Sequence, residues 1–546
     1  MNIVEALGTD ARSRCCGCGA CEAVCPRRCI AMRPDEAGFL HPAVDEAQCT
    51  HCGLCAGVCQ AAGRGEVAPG ACTGRQAGRG EVAPGACAEG QASVEQPCCE
   101  AAVPAASADR PASRGVCQAG APKACAGQPR AYAAVSRDEA ARAASSSGGV
   151  FAALAGTVLA RGGAVFGAAF APDFASVHHI CIRSLDELHS IMGSKYVQSS
   201  TGDCYRQAAA LLEEGVEVLY SGTPCQIEGL RRYLSSRNIP ALRPSSCKGP
   251  DWSPALHTVE VVCHGVPSPA VWQDYVRNVL GPGLSSVNFR DKSTGWRNYS
   301  FAADYAARAE ATDSAAHTVA PDSADHTDDP DSSASCRVEP RRLGGPNRLP
   351  GTCRLVVAHQ INGQHQLSGP SRLVEPHRDN LYMQAFLGDV CLRPSCHDCP
   401  AKARSVADIT LGDWWHLPPN LSVVGGTTAS LSAEGTIAES CIAGGGIAER
   451  PFVRDDDKGV SLVIVRSDQG QKLLEAVSES LIIQETPYDA ALKANPCITE
   501  SSQRDSLAGR FWHLWRKGGL SAAAPLMRRL TPRRRRLRAK LISKLK

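Results

Sequence analysis

The chain has 546 residues, which suffices for two to four domains, and its 43% hydrophobic content allows a sizeable core. Its 28 cysteines would suit a disulfide-rich secreted protein, but the first residues, MNIVEALGTDARSR, lack the apolar centre of a secretory signal. Part of the cysteine spacing is typical of oxygen-sensitive clusters and favours a reducing compartment, so we predict a cytoplasmic protein. No run of eighteen uninterrupted apolar residues occurs, so we expect no membrane-spanning helix.

A doubled cysteine pattern comes first in the chain. The spacing C-x2-C-x2-C-x3-C occurs twice, and Pro26 follows the first run. In this pattern three thiolates hold one iron-sulfur cube and the fourth completes the neighbouring cube. Zinc, the main alternative, would leave the third and fourth thiols of each run unexplained. We therefore predict an α+β, ferredoxin-like domain over residues 1–62 with two 4Fe-4S clusters, one held by Cys15, Cys18, Cys21 and Cys59 and the other by Cys49, Cys52, Cys55 and Cys25.

Residues 63–129 lack the periodic apolar positions of a folded segment. The ten residues GRGEVAPGAC occur at 63–72 and again at 78–87, among Gly, Ala, Pro and Gln. We predict a disordered, low-complexity linker. Its six cysteines lack cluster spacing, so we interpret them as unstructured; a metal site or a redox relay is the alternative.

Order returns near residue 130, where short apolar runs alternate with amphipathic ones. The pattern predicts strands at 164–170, 216–220 and 257–263, and helices after Ser147, over 205–214, from Pro224 and from Pro269. Such alternation indicates a mostly parallel sheet covered on both faces. We assign residues 130–304 to the N-terminal part of a larger α/β domain and residues 354–500 to its C-terminal part.

Two insertions interrupt this domain. A strand predicted at 299–305 and its expected partner at 355–361, which the turn signal Asn362-Gly363 follows, would form a hairpin around a disordered insertion at 305–353. A second insertion, rich in Gly, Ala and Ser, covers about 422–448, after which a strand at 460–466 and a helix at 471–478 are predicted.

Three segments have the residue types of a flavin site. Clusters exchange single electrons, and flavin is the common cofactor that converts them into a hydride. The segment SSSGG at 145–149 opens a helix and suits a phosphate, although serines also cap helices for structural reasons alone. Lys195 and Tyr196 suit an anionic ring, solvation being the alternative. Asp413 ends a predicted strand and can orient a ring nitrogen, and the two tryptophans after it are expected in the core or a pocket wall.

Further cysteines suggest another metal centre. Cys225 falls in the first turn of a helix, where the helix dipole favours the thiolate. Cys263 follows a strand end, and Cys396 and Cys399 form a C-x2-C pair with Cys391 upstream as a substitute ligand. A third 4Fe-4S site of Cys225, Cys263, Cys396 and Cys399 is one interpretation. Zinc or a redox disulfide for the pair, and inert burial for Cys225, are the alternatives.

The C-terminal tail, residues 501–546, is basic. From residue 516 onward it carries twelve Lys and Arg and no acidic residue, and aromatic and aliphatic residues are interspersed. This combination is typical of interfacial helices, so residues 511–546 are predicted to contact an anionic membrane peripherally, at the inner membrane surface. A solvated end is the alternative, and binding to nucleic acid is not expected.

In their order along the chain, these motifs resemble those of the beta subunit family of coenzyme F420 hydrogenases and dehydrogenases, F420 being a deazaflavin. The resemblance rests on the two-cluster start followed by SSGGVFAAL, GSKYVQSS, LYSGTPCQIEGL, VCHGVPSP, FRDKSTGW, LRPSCHDCPAK and SVADITLGDWW. It covers most of residues 10–60 and 130–480 outside the insertions. The insertions depart from the family's pattern but leave these motif residues intact.

The resemblance implies an oxidoreductase that passes electrons between 4Fe-4S clusters and FAD, and between FAD and a deazaflavin coenzyme or another acceptor, with a redox partner protein. The resemblance also implies that Cys225, Cys263, Cys396 and Cys399 are ligands of a third cluster. The alternative is a non-catalytic electron-delivery or scaffold subunit that serves polysaccharide-modifying enzymes, because bacterial members of this kind often occur in polysaccharide gene neighbourhoods. By this likeness the flavin pocket would be lined by Ser147, Gly148, Gly149, Lys195, Tyr196 and Gln198.

Overall fold

The computed structural model describes residues 1–62, 129–237, 256–306, 371–415 and 453–527, apart from residue 454. The predicted linker, most of both predicted insertions and the last part of the basic tail lie outside these residues. The described residues form a mixed α/β structure with a small N-terminal module, a nine-stranded sheet and a three-stranded sheet.

The described elements include strands and helices near the positions that the alternating pattern predicts, together with several that it does not predict. The strands are β1 Ile30–Pro34, β2 Leu40–Val44, β3 Arg130–Ser136, β4 Ala164–Phe170, β5 Val177–Ile182, β6 Ser199–Ser200, β7 Val218–Gly222, β8 Leu256–Val261, β9 Leu284–Asp291, β10 Ser300–Tyr305, β11 Ser371–Pro376, β12 Ile409–Asp413, β13 Ser461–Val465 and β14 Leu481–Thr486. The α-helices are α1 Ile3–Leu7, α2 Ala11–Arg14, α3 Ala20–Val24, α4 Leu54–Val58, α5 Glu139–Ala144, α6 Val150–Ala160, α7 Leu188–Ile191, α8 Cys204–Glu213, α9 Pro224–Ser236, α10 Pro269–Tyr275, α11 Leu381–Leu387, α12 Pro400–Ala403, α13 Asp468–Ala476, α14 Tyr488–Ala494 and α15 Ala508–Met527.

The N-terminal module repeats one local geometry twice, as its sequence does. In each cysteine run a glycine with positive φ, Gly19 at 80° or Gly53 at 78°, precedes a short helix, α3 or α4. Each helix ends at the fourth cysteine of its run, Cys25 or Cys59, in an extended conformation. Residues other than glycine rarely adopt such positive φ values, so the two glycines let the chain turn tightly around the first three thiols of each run. The antiparallel hairpin of β1 and β2 joins the two halves.

The nine-stranded sheet is mixed. Its order is β14-β3-β13-β12-β8-β7-β4-β5-β6, and only the central strands β12, β8, β7 and β4 form a continuous parallel block. The prediction of a mostly parallel sheet is therefore correct for the centre and wrong at the flanks, where β13, β3, β14 and β5 pair antiparallel. Residues 171–176, which join β4 to β5, are too few for the crossover that a parallel pair requires.

Helices cover both faces of the sheet, as predicted. On one face α6 and α13 pack around Leu154 and Leu219, and on the other α8 and α9 pack around Tyr220 and Leu230. Neighbouring residues of β4 serve opposite faces, since Val165 belongs to the first core and Phe166 to the second. Burial on both faces explains why the central strands read as continuous apolar runs.

The hairpin prediction is wrong in its second strand. The strand Ser300–Tyr305 exists, but it pairs with β9 on one side and with β11, Ser371–Pro376, on the other. Both of its edges are therefore occupied, and residues 355–361, which were expected to pair with it, lie outside the described residues. The actual partner, β11, is mostly half-buried and contains charged residues. It has no clear alternation of apolar and polar residues, so the sequence pattern did not predict it as a strand.

The first part of the basic tail packs on the protein itself. Helix α15 buries Phe511, Leu520 and Met527 in a core that also contains Trp272 of α10 and Phe386 of α11. These apolar side chains, which suggested an interfacial helix, are thus already in contact with protein. Among the described residues, no helix is long and apolar enough to cross a membrane.

Candidate functional site

Three neighbouring strands of the large sheet end at one edge with chemically active residues. Strands β7, β8 and β12 are adjacent and parallel. Cys225 follows β7 in the first turn of α9, Cys263 follows β8, and Asp413 is the last residue of β12. Because ligands of such sheets bind in the crevice outside the carboxyl ends of parallel strands, this edge is the candidate functional site.

The start of α9 is built as its sequence predicts. Pro224 occupies the first turn, and the backbone N–H of Thr223 donates to Gln226 Oε1 at 3.0 Å, which forms the capping box. Thr223 Oγ1 lies 3.2 Å from Cys225 Sγ. The helix start therefore holds the Cys225 thiol in a fixed position beside β8.

The structure brings Cys225, Cys263, Cys396 and Cys399 together, and we call them the third tetrad. Burial raises the pKa of Cys263 well above its ordinary value, and the thiolate charges of the other three add to this effect. The pKa of Cys396 is raised to about 12 by burial, with contributions from Cys225 and Cys399. The pKa values of Cys263, Cys396 and Cys399 each respond to the charges of other cysteines in this group, so the four sulfurs lie close enough to fit a cationic centre that would hold them as thiolates.

Cys391 lies outside this group. It is fully buried in the apolar core around α10 and α11, together with Tyr382 and Leu392. Burial raises its pKa to about 12. The structure therefore does not bring Cys391 to the third tetrad as a substitute ligand.

The structure also groups the cysteines of the first predicted cluster, and we call them the first tetrad. Burial raises the pKa of Cys21, and the charges of Cys18, Cys15 and Cys59 raise it further. The pKa of Cys59 is raised to about 11, again by burial first and then by Cys18. Cys59, the last cysteine of the second run, thus lies with the first three cysteines of the first run.

The second tetrad lines a small cavity of about 20 Å³ that is partly open to solvent. Its lining includes Cys49, Cys52 and Cys55 together with Cys25, the last cysteine of the first run. A fifth cysteine, Cys29, which sequence analysis did not single out, also lines the cavity and places its Sγ 3.3 Å from that of Cys25. The exchange of fourth cysteines between the two runs is the arrangement that the spacing predicts.

Cys16 connects the first and third tetrads. Its thiol is hydrogen bonded to the sulfurs of Cys18 and Cys225. These bonds lower the pKa of both partners, that of Cys18 to about 7. Gln60 Nε2 supports the bridge by donating to Cys16 Sγ at 3.2 Å and to the Cys225 carbonyl at 2.9 Å. The two tetrads are therefore separated by one intervening thiol.

Arg393 fastens the N-terminal module to the sheet edge. The side chain is fully buried. It donates to the carbonyls of Cys15 and Leu40 at 2.8 Å each and to Gln198 Oε1 at 3.3 Å. The same Gln198 oxygen accepts the Leu40 N–H at 3.0 Å. The amide of Gln198 therefore faces the N-terminal module in this structure, and its predicted contact with flavin stays a prediction.

A buried arginine, Arg290, organises the residues predicted for flavin. It is 3% exposed and donates to Asp413 Oδ2 at 2.8 Å and to Tyr196 Oη at 3.4 Å. Its guanidinium lies 4.1 Å from the ring centroid of Tyr299 and 5.0 Å from that of Trp415. Among the described residues, its Nε and Nη2 have no hydrogen-bond partner. Because an unpaired buried donor is costly, this arrangement fits an anionic or hydrogen-bond-accepting ligand.

The serine-glycine loop before α6 is engaged with the neighbouring strand. Ser147 Oγ donates to the carbonyl of Val460 at 2.8 Å, and the N–H of Gly148 donates to Ser461 Oγ at 2.9 Å. Gly149 has a φ of 91°, a backbone conformation that residues other than glycine rarely adopt, and α6 begins directly after it. The Ser147 hydroxyl is thus used within the protein, and the first amides of α6 remain the groups suited to an anion.

Two lysines flank this loop. Lys292 Nζ donates to the carbonyl of Ser147 at 2.7 Å, and burial together with nearby arginines lowers the pKa of Lys292 to about 8. Lys195 lies next to Ser194, whose N–H donates to Ser146 Oγ at 2.7 Å, and burial lowers the pKa of Lys195 to about 7. Both lysines can therefore change charge between pH 6.5 and 9.

Aromatic contacts join the third tetrad to the Arg290 group. His264, which follows Cys263 in the chain, meets the ring of Phe386 edge-on at a centroid distance of 5.4 Å. Phe386 stacks on Tyr196 at 4.6 Å, and Tyr196 accepts the hydrogen bond from Arg290. The residues predicted to hold metal and flavin thus form one continuous region of contacts at the carboxyl edge of the sheet.

Two family models match the chain. Residues 216–491 match the family described as the C terminus of the Coenzyme F420 hydrogenase/dehydrogenase beta subunit, and residues 14–62 match the 4Fe-4S dicluster domain. No curated protein matches the chain. A solved structure of the F420-reducing [NiFe] hydrogenase complex from Methanosarcina barkeri is similar at 13% identity and a TM-score of 0.35, covering 71% of this chain and 92% of that one.

Proposed function

We propose, because the chain belongs to the coenzyme F420 hydrogenase/dehydrogenase beta subunit family, that it is an iron-sulfur flavoprotein oxidoreductase. It passes electrons between 4Fe-4S clusters and FAD, and between FAD and a deazaflavin coenzyme or another acceptor. The dicluster match supports iron-sulfur centres in the N-terminal module, for which we propose a ferredoxin-like fold. We also propose the predicted domain boundaries and a redox partner protein.

One observation carries this proposal. The first tetrad, the third tetrad and the Arg290 group follow one another through side-chain contacts: Cys16 bridges the two tetrads, and the aromatic pair of Phe386 and Tyr196 continues to Arg290. Each tetrad offers four cysteine sulfurs, a soft donor set suited to iron-sulfur clusters. Such a series of sites is the arrangement expected of a path for single electrons.

The residues of the site fit the cofactors in different ways. The tetrads would hold clusters through thiolates, and the Arg393 guanidinium favours the thiolate form of Cys15 and Cys225. Arg290 would donate to an electron-rich part of the flavin, with Asp413 fixing the guanidinium from the other side. When bound, FAD would exchange two electrons as a hydride and single electrons with the clusters.

The test is cofactor analysis of the full chain prepared without oxygen. We expect flavin absorbance together with iron and sulfide. We also expect the isolated chain, supplied with reduced methyl viologen as the electron donor, to reduce FAD or a deazaflavin with no partner protein present. Bound clusters without any flavin would instead support the alternative of a non-catalytic electron-delivery subunit for polysaccharide-modifying enzymes. A preparation that retains clusters and reduces neither flavin nor deazaflavin would refute the enzymatic part of the proposal.

The location of the protein remains a separate proposal. We propose a cytoplasmic protein with peripheral contact to an anionic membrane. Since the apolar residues Phe511, Leu520 and Met527 are buried against the protein, this contact would depend on the basic residues from 528 onward. Sedimentation with vesicles tests this contact. We expect the protein to sediment with anionic vesicles and not with neutral ones, and equal binding to both would refute the contact with an anionic membrane.

A further inference from the structure

A buried lysine lies beside the third tetrad. Lys402 is 7% exposed and belongs to the short helix α12, which begins directly after Cys399. Its Nζ donates a hydrogen bond to the Glu500 carbonyl at 2.7 Å. Among the residues that the structure describes, Lys402 forms no ion pair with a carboxylate. Because a lysine charge is seldom buried without a negative partner, its surroundings should supply negative charge of another kind.

The third tetrad is a source of such charge. Burial raises the pKa of Cys263 and of Cys399, and the positive charge of Lys402 acts in the opposite direction on both thiols. Lys402 therefore lies close enough to these two sulfurs to act on them electrostatically. A 4Fe-4S cluster held by four thiolates carries net negative charge, and each electron that it gains adds one more negative charge. A buried cation without a carboxylate partner suits such a neighbour.

Residues 500–502 fix Lys402 relative to the loops that carry the tetrad. Next to the Glu500 carbonyl that accepts from Lys402, Ser501 Oγ accepts the N–H of Cys399 at 2.9 Å. Ser502 Oγ then donates to the carbonyl of His264, which follows Cys263 in the chain. Three consecutive residues thus bind the lysine and two of the cysteine loops. The lysine charge is therefore held at a fixed place beside the third tetrad.

The first tetrad has a different set of charges around it. Arg393 serves both tetrads, because its charge opposes the effect of burial on the pKa of Cys15 and of Cys396. The charge of Glu228 also lies near the first tetrad, but this carboxylate is already paired with Arg232 at 2.8 Å. At the third tetrad Lys402 adds a further buried cation to the shared arginine. The third tetrad is therefore the more positive of the two environments.

We propose that Lys402 sets the reduction potential of the cluster in the third tetrad and raises it above that of the cluster in the first tetrad. A nearby buried cation stabilises the negative charge that arrives with an electron, and so favours the reduced state. One electron then moves from the first tetrad to the third, and no bond is made or broken. The third tetrad contacts the Arg290 group through aromatic residues, so this order directs electrons from the N-terminal module toward the flavin. The inference rests on the proposed function, because it requires clusters in both tetrads.

The test is a redox titration of the full chain, prepared without oxygen and with its cofactors, followed by electron paramagnetic resonance. The signal that is missing in Cys263→Ser identifies the cluster of the third tetrad. Lys402→Gln removes the charge, while its amide can still donate to the Glu500 carbonyl. We expect the equilibrium constant for reduction of the third cluster to fall about tenfold in this variant, which is about 59 mV for one electron. The potential of the first cluster and the iron content should stay the same.

Two controls separate the charge from the packing of the side chain. Lys402→Arg keeps a positive charge, so we expect it to retain the potential of the unaltered chain. Lys493→Met removes a charge from an exposed position of α14 and should change neither potential. If Lys402→Gln loses the third cluster altogether, the unaltered chain still decides, because its third cluster should be reduced at a higher potential than its first. An equal or reversed order would overturn the inference.

The outcomes distinguish this inference from the proposed function. An unchanged potential of the third cluster in Lys402→Gln would overturn the role of the lysine, while the clusters and the flavin of the proposed function would stand. A Cys263→Ser variant that keeps all of its iron and its full spectrum would instead show that the third tetrad holds no cluster. That result would contradict the proposed function at this tetrad, and the inference would fall with it.

Discussion

Replacing Arg393 by methionine is expected to loosen the N-terminal module from the sheet edge. Methionine keeps much of the apolar stem, but it removes the hydrogen bonds to the Cys15 and Leu40 carbonyls and to Gln198 Oε1. The position is fully buried, so water cannot replace the lost donor. The first tetrad should therefore move away from Cys225 and the third tetrad.

The size of the effect follows from the number of acceptors left without a partner. Each lost hydrogen bond to a charged donor costs about 1.5–3 kcal/mol. Removal of the buried charge recovers part of this cost, so the net loss should be about 3–5 kcal/mol. A loss of about 4 kcal/mol lowers the docked population relative to the undocked one roughly a thousandfold.

Two measurements check this prediction. Hydrogen exchange of residues 14–44 should accelerate in Arg393→Met, and the rate of electron transfer from reduced clusters to flavin should fall by at least tenfold. Arg404→Met is the matched control, because Arg404 is 53% exposed and its nearest carboxylate, that of Glu228, lies 4.0 Å away. If Arg393→Met kept both the exchange pattern and the transfer rate of the unaltered chain, the assignment of Arg393 as the fastening residue would be wrong.

Three further variants or conditions test other parts of the site. Gly229→Ala would place a Cβ 3.0 Å from Cys18 Sγ. We therefore expect a changed electron paramagnetic resonance spectrum or a loss of up to about four iron atoms from the first tetrad. Gly57→Ala is the control, because no atom lies within 4 Å of its Cβ, and it should change neither the spectrum nor the iron content. Arg290→Met should lose FAD and keep its iron, whereas the exposed Arg297→Met should keep both; flavin retained by Arg290→Met would contradict the role of the buried guanidinium. The dissociation constant for FAD should rise about tenfold between pH 6.5 and 9, because Lys195 and Lys292, with pKa values of about 7 and about 8, are positive below these values and neutral above them. Lys292→Arg should flatten this dependence, and an affinity that does not change with pH in the unaltered chain would refute it.

The sequence predicts the elements around the site well because both the apolar pattern and the capping residues are local signals. The strand at 164–170 and the helix from Pro224 appear as predicted, and the latter carries its capping box. The pairing of β10 with β11 could not be predicted in this way. The two strands are separated by more than sixty residues, and pairing over that distance depends on tertiary contacts.

The candidate site shows the same division. Spacing alone grouped the eight N-terminal cysteines, and the structure places Cys25 and Cys59 in the exchanged positions. Cys16 and Cys29 were missed because they lie outside the repeated spacing, and only the fold shows that their thiols meet tetrad sulfurs. Arg290 lies within the motif FRDKSTGW, so the sequence shows a charged residue within a predicted strand. Only the fold shows that the residue is buried and that, among the described residues, its Nε and Nη2 have no hydrogen-bond partner.

We propose that three cysteine tetrads hold iron-sulfur clusters that exchange electrons with a flavin. The most direct measurement is the iron, sulfide and flavin content of the full chain prepared without oxygen, together with its electron paramagnetic resonance after reduction by dithionite. We expect about twelve iron atoms per chain, four for each tetrad, with one FAD, and a loss of about four irons in Cys263→Ser. A colourless protein without a resonance signal would contradict it.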